Sequence, residues 1–560
     1  MKVPNLDPIL KPIFDRWKVP LPEKKWSPKP HTDDFGPEIK EILLAKETDQ
    51  KILSPTKSSI ANKAVWEGVT FLHTPQNLKA VAPSLGITIK DTNTFFYVRD
   101  SFIRLWNGST KVAVSSHHIE KAMERARSSS LYLDKTATTR THNQLFNHWS
   151  GFSHHHSHSR DVERESKALF SEKCTPFKYT YADGGNVFTL TNTKGDVVVL
   201  VGEDHREHTL QILELEERNW KNLALEAKLE ADLESNMGKS FETLVAEQAS
   251  KLSDEDVFHC CEEMFSKGML LCSGRMGLIV PSLQLTILLT KFFALKSEKN
   301  YVLELERGWF RKLAIESDAV GRFEIDPKKT EQALQIAAAY LVKLKIVHAL
   351  MALDFNVSPK NLHFISQANY HLDTFILPAP HNSLFVLNYA FCADVLRGLL
   401  NSKMDLKLAE NDVFLLEGYH EAAVKMDLEL GSLLSEVSDQ LCAAGFTVIP
   451  MPGHFIYEPY GMYEEFPMPS QGICINFING IAGWTSTTNS HFFITHGISV
   501  GEKVGQLLMS EFSSFMKSYI SDINLYFIGY NPEDDQDFSE SLDFWNRLET
   551  QSGIHCASFF

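Results

Sequence analysis

The sequence predicts an α/β chain, and three observations carry that prediction. Short apolar strand segments at 447–450, 473–477, 492–495 and 524–530 alternate with helical periodicity, as at 502–519. A Gly-containing turn with apolar alternation on both sides marks a hairpin over 179–200. The apolar fraction of 43% against 22% charged residues is ordinary for a globular chain with a large core.

Taken in order, residues 1–60 are rich in proline and lysine, with one short helix expected near 38–46. They are read as an extension along the surface of the body 61–560. Strands are expected at 65–72 and at 95–105, and a helix at 118–130. The stretch 151–160, GFSHHHSHSR, reads as a polar loop, because metal ligands need fixed spacing on a rigid element. Residues 205–295 turn helical and carry no chemical motif, so they are expected to be a helical insertion. Strand character returns at 301–306, a helix is expected at 329–353, and strands at 366–378 and 384–390. An acidic loop at 532–541 and a short helix at 542–550 lead to Cys556, five positions from the last residue counted inclusively.

Charge narrows the partners. The net charge is −16, from 55 Lys+Arg against 71 Asp+Glu, which argues against nucleic acid, whose phosphates want a basic stripe. The most apolar stretch, 277–295, contains Pro281, Gln284 and Lys291. Its uncharged part is shorter than the ~20 apolar residues a spanning helix needs, so no membrane association is expected. The opening MKVPNLDPILKPIFDRW lacks the apolar run of a signal peptide, and a cytoplasmic setting follows. The eight cysteines form no C-x-x-C pair, as suits reduced thiols.

The candidate chemistry lies in a few polar residues beside turns. His371 and Asp373, two apart in a segment read as a strand, are expected to project from one face. That suits a histidine moving a proton while a carboxylate grips a cation. Asp100 and Asp183, the latter followed by Gly184 and Gly185, add two carboxylates. A planar guanidinium presents its donors in a fixed fork that carboxylates accept. Its carbon is a poor electrophile, so a thiolate and a proton donor are needed beside it.

The segment FFYVRDSF at 95–102 resembles the aromatic-x-x-Arg-Asp segment of arginine and agmatine deiminases. Asp183-Gly184-Gly185-Asn186 resembles their acidic-Gly-Gly segment, and His371-Leu372-Asp373-Thr374 their His-x-Asp strand. Gly553-Ile554-His555-Cys556 is similar to the Gly-x-His-Cys ending of agmatine deiminases, and the order along the chain agrees. The resemblance is to the guanidino-group-modifying enzymes of the pentein superfamily, and it covers roughly 61–200 and 320–560. It implies a five-bladed α/β propeller of ββαβ units, with the helical insertion and N-terminal extension added, although the sequence shows no self-similarity of its own. It implies Cys556 as nucleophile, His371 as general acid then base, and Asp183 assisting it where small-molecule deiminases usually have Glu. Asp100 and Asp373 would hold the guanidinium, and Gly184 and Gly185 would shape the floor. The implied activity is hydrolysis of an arginine-like group, free or peptidyl, to a ureido product and ammonia. No metal or organic cofactor is implied. Amidino transfer, a catalytically silent binding protein and a Cys-His-Asp peptidase are the alternatives.

Overall fold

A computed structural model of the chain describes residues 6–19, 33–34, 38–45, 65–66, 69–72, 78, 81–92, 98–112, 166, 169–170, 174–203, 205–206, 209–210, 213, 218–229, 302–304, 315–317, 322–325, 343–368, 371–453, 477–496, 502–528 and 558–559. The expected helices at 118–130 and 542–550, the histidine-rich stretch 151–160, the acidic loop 532–541, most of 205–295, and Cys556 lie outside the described residues.

The strands, in chain order, are Glu41–Ala45 (β1), Val65–Trp66 (β2), Val69–Leu72 (β3), Thr88–Thr92 (β4), Phe102–Arg104 (β5), Thr110–Val112 (β6), Cys174–Pro176 (β7), Val187–Thr191 (β8), Val197–Gly202 (β9) and Val302–Glu304 (β10). There follow Ile315–Ser317 (β11), Arg322–Ile325 (β12), Leu362–Ile365 (β13), Ile376–Ala379 (β14), Ser383–Asn388 (β15), Thr447–Pro452 (β16), Ile481–Thr485 (β17), Ser490–His496 (β18), Ile523–Ile528 (β19) and Ser558–Phe559 (β20). The longer helices are Asp7–Arg16 (α1), Tyr389–Asn401 (α2), Glu410–Ala443 (α3) and Glu502–Tyr519 (α4).

One connectivity recurs. In β5-β6-β7, β8-β9-β13 and β14-β15-β16, two antiparallel strands form a hairpin, and the second pairs in parallel with a third strand further along the chain. The set β17-β18-β19 repeats this order and continues into β3 and β2. The sheet β20-β1-β4 has it too, but its antiparallel pair joins opposite ends of the chain, with Leu43 opposite Phe559. A parallel third strand requires a crossover. Helices α2 and α3 supply it between β15 and β16, and α4 supplies it between β18 and β19. The sheet β10-β12-β11 is antiparallel throughout.

Helix α3 places Leu416, Tyr419, Ala423, Met426, Leu430, Leu434, Val437 and Leu441 in the core at three- and four-residue spacing. The Asp412 carboxylate accepts the Ala409 N–H at 2.9 Å at its start. Just beyond its end, Gly445 takes φ 93°, a left-handed conformation that suits glycine. Neither α2 nor α3 is expected from the sequence reading.

Several expectations are corrected. The segment near 38–46 is strand β1, not a helix, because it is captured between β4 and β20. The strand expected over 95–105 is one helical turn, Val98–Ser101, followed by β5. The first sixty residues are not only a surface extension. Leu6, Leu10, Ile13 and Phe14 recur at helical spacing and are buried in the main core. Phe14 meets the Phe391 and Phe515 rings edge-on at 5.9 and 5.8 Å, Trp17 stacks on Phe391 at 5.0 Å, and the Trp17 indole N–H donates to Asp394 at 3.1 Å. The helical insertion likewise starts inside a core, since Leu210, Leu213 and Leu223 are buried with Val199 and Val201. Among the described residues no helix is long and apolar enough to cross a membrane.

Candidate active site

Asp100, Asp183 with its glycines, and the His371/Asp373 pair occupy corresponding places in the chain. Each lies on the connection between the third strand of one sheet and the first strand of the next, from β4 to β5, β7 to β8 and β13 to β14. Asn479 lies on the equivalent connection from β16 to β17, and Cys556 precedes β20 by two residues.

The helical turn Val98–Ser101 uses two adjacent side chains in different ways. Arg99, 1% exposed, donates from Nε to the Gly184 carbonyl at 3.1 Å and pairs with Asp33 at 3.2 Å. The neighbouring Asp100 faces His371, with Oδ1 3.8 Å from Nδ1. Arg99 therefore fixes the Asp183 loop from below while Asp100 lines the site.

Asp183 is extended, with φ −112° and ψ 157°, and the chain then tightens into the 3-10 turn Gly184–Asn186. A Cβ on Gly184 would stand 2.1 Å from the Arg99 carbonyl oxygen and 2.4 Å from that of Phe102. A Cβ on Gly185 would stand 2.5 Å from His371 Nδ1 and 3.1 Å from Asp100 Oδ1. The first glycine lets two loops touch through their backbones. The second leaves space for the histidine ring.

His371 and Asp373 are not on a strand. The 3-10 turn Leu372–Thr374 follows His371, and β14 starts only at Ile376. The turn wins because Thr374 Oγ1 donates to the His371 carbonyl at 2.6 Å and the Leu372 N–H donates to Asn186 Oδ1 at 3.1 Å. The expectation that both side chains project from one strand face is thereby withdrawn. The two still belong to one buried cluster: Asp373, 2% exposed, acts electrostatically on Asp100. Its carbonyl accepts from the Asn479 amide at 3.2 Å.

His371 Nε2 lies 3.2 Å from Asp183 Oδ1, which places the ring between two carboxylates. The carboxylates differ sharply in acidity. Burial, reinforced by the charges of Asp183 and Asp373 against the opposing pull of His371, pushes Asp100 up to about 8. Burial also pushes the Asp183 carboxyl up, but the charges and hydrogen bonds of His371 and His205 outweigh it and hold it well below its ordinary value. Asp183 is thus the ionised partner of His371, and Asp100 holds a proton near neutrality until a cation arrives.

Asp100, Asp183 and His371 each offer one ligand-type atom, all within 4.8 Å of one another, a spacing that could hold a cation. A guanidinium suits it, because its N–H groups reach several acceptors at once.

The structure therefore brings together Asp100, Asp183, Gly184, Gly185, His371 and Asp373. The turn Val98–Ser101 lies against β20, the strand that follows Cys556. Cys174 is no substitute nucleophile: it sits in an apolar cluster with Val98 and Phe102, and burial pushes its thiol up to about 11. Sequence reasoning missed His205, Asn186 and Asn479 and gave Arg99 no role of its own. The one available signal was Asn186 completing the Asp-Gly-Gly-Asn turn. Comparisons with protein-family models, curated proteins and solved structures return no match.

Proposed function

We propose that this chain is a guanidino-group hydrolase, a deiminase acting through Cys556 on a five-bladed α/β propeller of the pentein type. The observation that carries the reading is His371 held between a carboxylate kept ionised, Asp183, and one kept protonated, Asp100, at a meeting of three inter-sheet loops. The antiparallel-then-parallel strand order in five sheets supports the propeller. The position of Cys556, two residues before a strand that lies against the Asp100 turn, supports its role as nucleophile.

The Cys556 thiolate attacks the guanidinium carbon and forms a C–S bond. His371 passes its proton to the leaving nitrogen, the C–N bond breaks, and ammonia departs. Water then adds to the amidino-thioether carbon while His371 takes a proton. The C–S bond breaks, returning the thiolate and releasing a ureido product. Asp183 supports the imidazolium, and Asp100 and Asp373 receive the guanidinium N–H groups. A reducing compartment such as the cytoplasm suits a chain that depends on a free thiol.

The test is incubation with arginine, agmatine and an arginine-containing peptide, read by mass spectrometry. Hydrolysis raises the substrate mass by about one dalton and releases ammonia. A new guanidino compound would instead indicate amidino transfer. No product from the wild type, or the same product from Cys556→Ala, refutes the proposal.

A further inference from the structure

His205 stands behind the site, on the side of Asp183 away from His371, and sequence reasoning gives it no role. It is 2% exposed. Its Nε2 accepts the Asp183 backbone N–H at 3.1 Å and lies 3.2 Å from Asp183 Oδ2. Its Nδ1 lies 3.2 Å from the Asn186 amide nitrogen. Its carbonyl accepts from Thr209 Oγ1 at 2.7 Å, and the same hydroxyl oxygen accepts the Tyr181 N–H at 3.0 Å. The Tyr181 ring meets the imidazole edge-on at 5.3 Å. The ring is therefore fixed on every side by the loop that carries Asp183.

Asn186 holds the other end of the imidazole. Its Oδ1 accepts the Leu372 N–H at 3.1 Å, so its Nδ2 must be the group facing His205 Nδ1. The imidazole is thus held at both nitrogens, by the Asp183 loop at Nε2 and by Asn186 at Nδ1. The two carboxylate oxygens thus serve two histidines, Oδ2 to His205 and Oδ1 to His371. The same Asn186 side chain ties His205 to the turn that carries His371.

We infer that His205 is a positioning residue for this reaction: it anchors Asp183 and aims its free oxygen at His371. The inference rests on the deiminase reading and extends it by assigning the residue that holds a carboxylate one methylene shorter than the Glu of small-molecule deiminases. With a short side chain, Asp183 needs a fixed partner to reach His371 at 3.2 Å. His205 supplies it, with Nε2 against both the backbone N–H and the Oδ2 of Asp183.

The test compares two polar replacements. His205→Gln keeps a polar group at the position of Nε2, whereas His205→Asn is too short to reach. His205→Asn should lower kcat by about 100-fold, the lower end of what proton transfer by a positioned group contributes. Its KM should hardly change, because substrate contacts remain. The acid limb of its kcat/KM profile should move to higher pH, because His205 helps hold the Asp183 carboxyl below its ordinary value. His205→Gln should restore most of kcat and the wild-type limb. Equal kcat and equal acid limbs in the two variants overturn the inference. A wild type without turnover sinks the deiminase reading instead, and acid unfolding then tests His205: His205→Asn should unfold at higher pH than His205→Gln. Coincident acid unfolding in that case also overturns it.

Discussion

Replacing Asp100 by Asn turns the charge balance of the site into a stability measurement. Asp100 is pushed from an ordinary carboxylate value of 3.8 up to about 8 in the folded protein. Between those values the folded chain binds one proton that the unfolded chain has released. Stability attributable to this group is therefore fully present below the unfolded value and lost as pH rises through the folded one. The slope is about 1.4 kcal/mol per pH unit per proton. From pH 5 to pH 7 the wild type should lose roughly 3 kcal/mol from this source alone. Asp183 contributes no slope in that window: its folded value is depressed, so its contribution is present above the ordinary carboxylate value and lost only as pH falls well below it. Asn imitates the protonated carboxyl, so Asp100→Asn should lack the slope. Urea unfolding of both proteins at pH 5, 6 and 7 reads the difference directly, with other titrating groups common to both. The stability advantage of Asp100→Asn should grow with pH. Parallel profiles would refute the assignment of the proton to Asp100. A guanidinium ligand should also displace the proton, so calorimetric binding in buffers of different ionisation enthalpy should show about one proton released by the wild type at pH 7 and none by the variant.

Other outcomes follow from the same geometry. Gly184→Ala forces a methyl against two carbonyl oxygens and should destabilise the fold by about 3 kcal/mol or more by urea titration, whereas Gly185→Ala should leave stability closer to wild type and lower kcat by displacing His371. Phe14→Ala removes a ring packed on Phe391 and Phe515 and should cost about 3–5 kcal/mol in chemical denaturation, a loss that a loose surface extension would not show. Deleting Phe559 and Phe560 removes half of β20 and should abolish turnover while far-ultraviolet circular dichroism stays near wild type. Exhaustive chelation should leave turnover unchanged; loss restored by a divalent ion would assign the Asp100–Asp183–His371 cluster to a metal instead.

The polar residues of the site are legible in the sequence because each motif is local: Arg99-Asp100, Asp183-Gly184-Gly185 and His371-Leu372-Asp373 span two or three positions. Their convergence is not local. The turn after His371 depends on an amide from Asn186, 186 positions upstream of Leu372, so the segment alone reads as a strand. His205 has meaning only through Asp183 and Asn186, which lie in another loop. Arg99 looks like a surface charge until Asp33 and the Gly184 carbonyl surround it. Strand β1 contains no residue that favours a sheet over a helix decisively, and its partners decide it. By contrast, the stripe from Leu416 to Leu441 has a clear helical period, a local signal that the sequence reading passed over.

The pairing of β20 with β1 joins residues near the two ends of a chain of 560 amino acids. During synthesis strand β1 waits, without its edge partner, until β20 has been made. On the proposed mechanism, a chain cut before Cys556 would keep the acid–base side of the site and lack the attacking sulfur, so it would hold a guanidinium without transforming it.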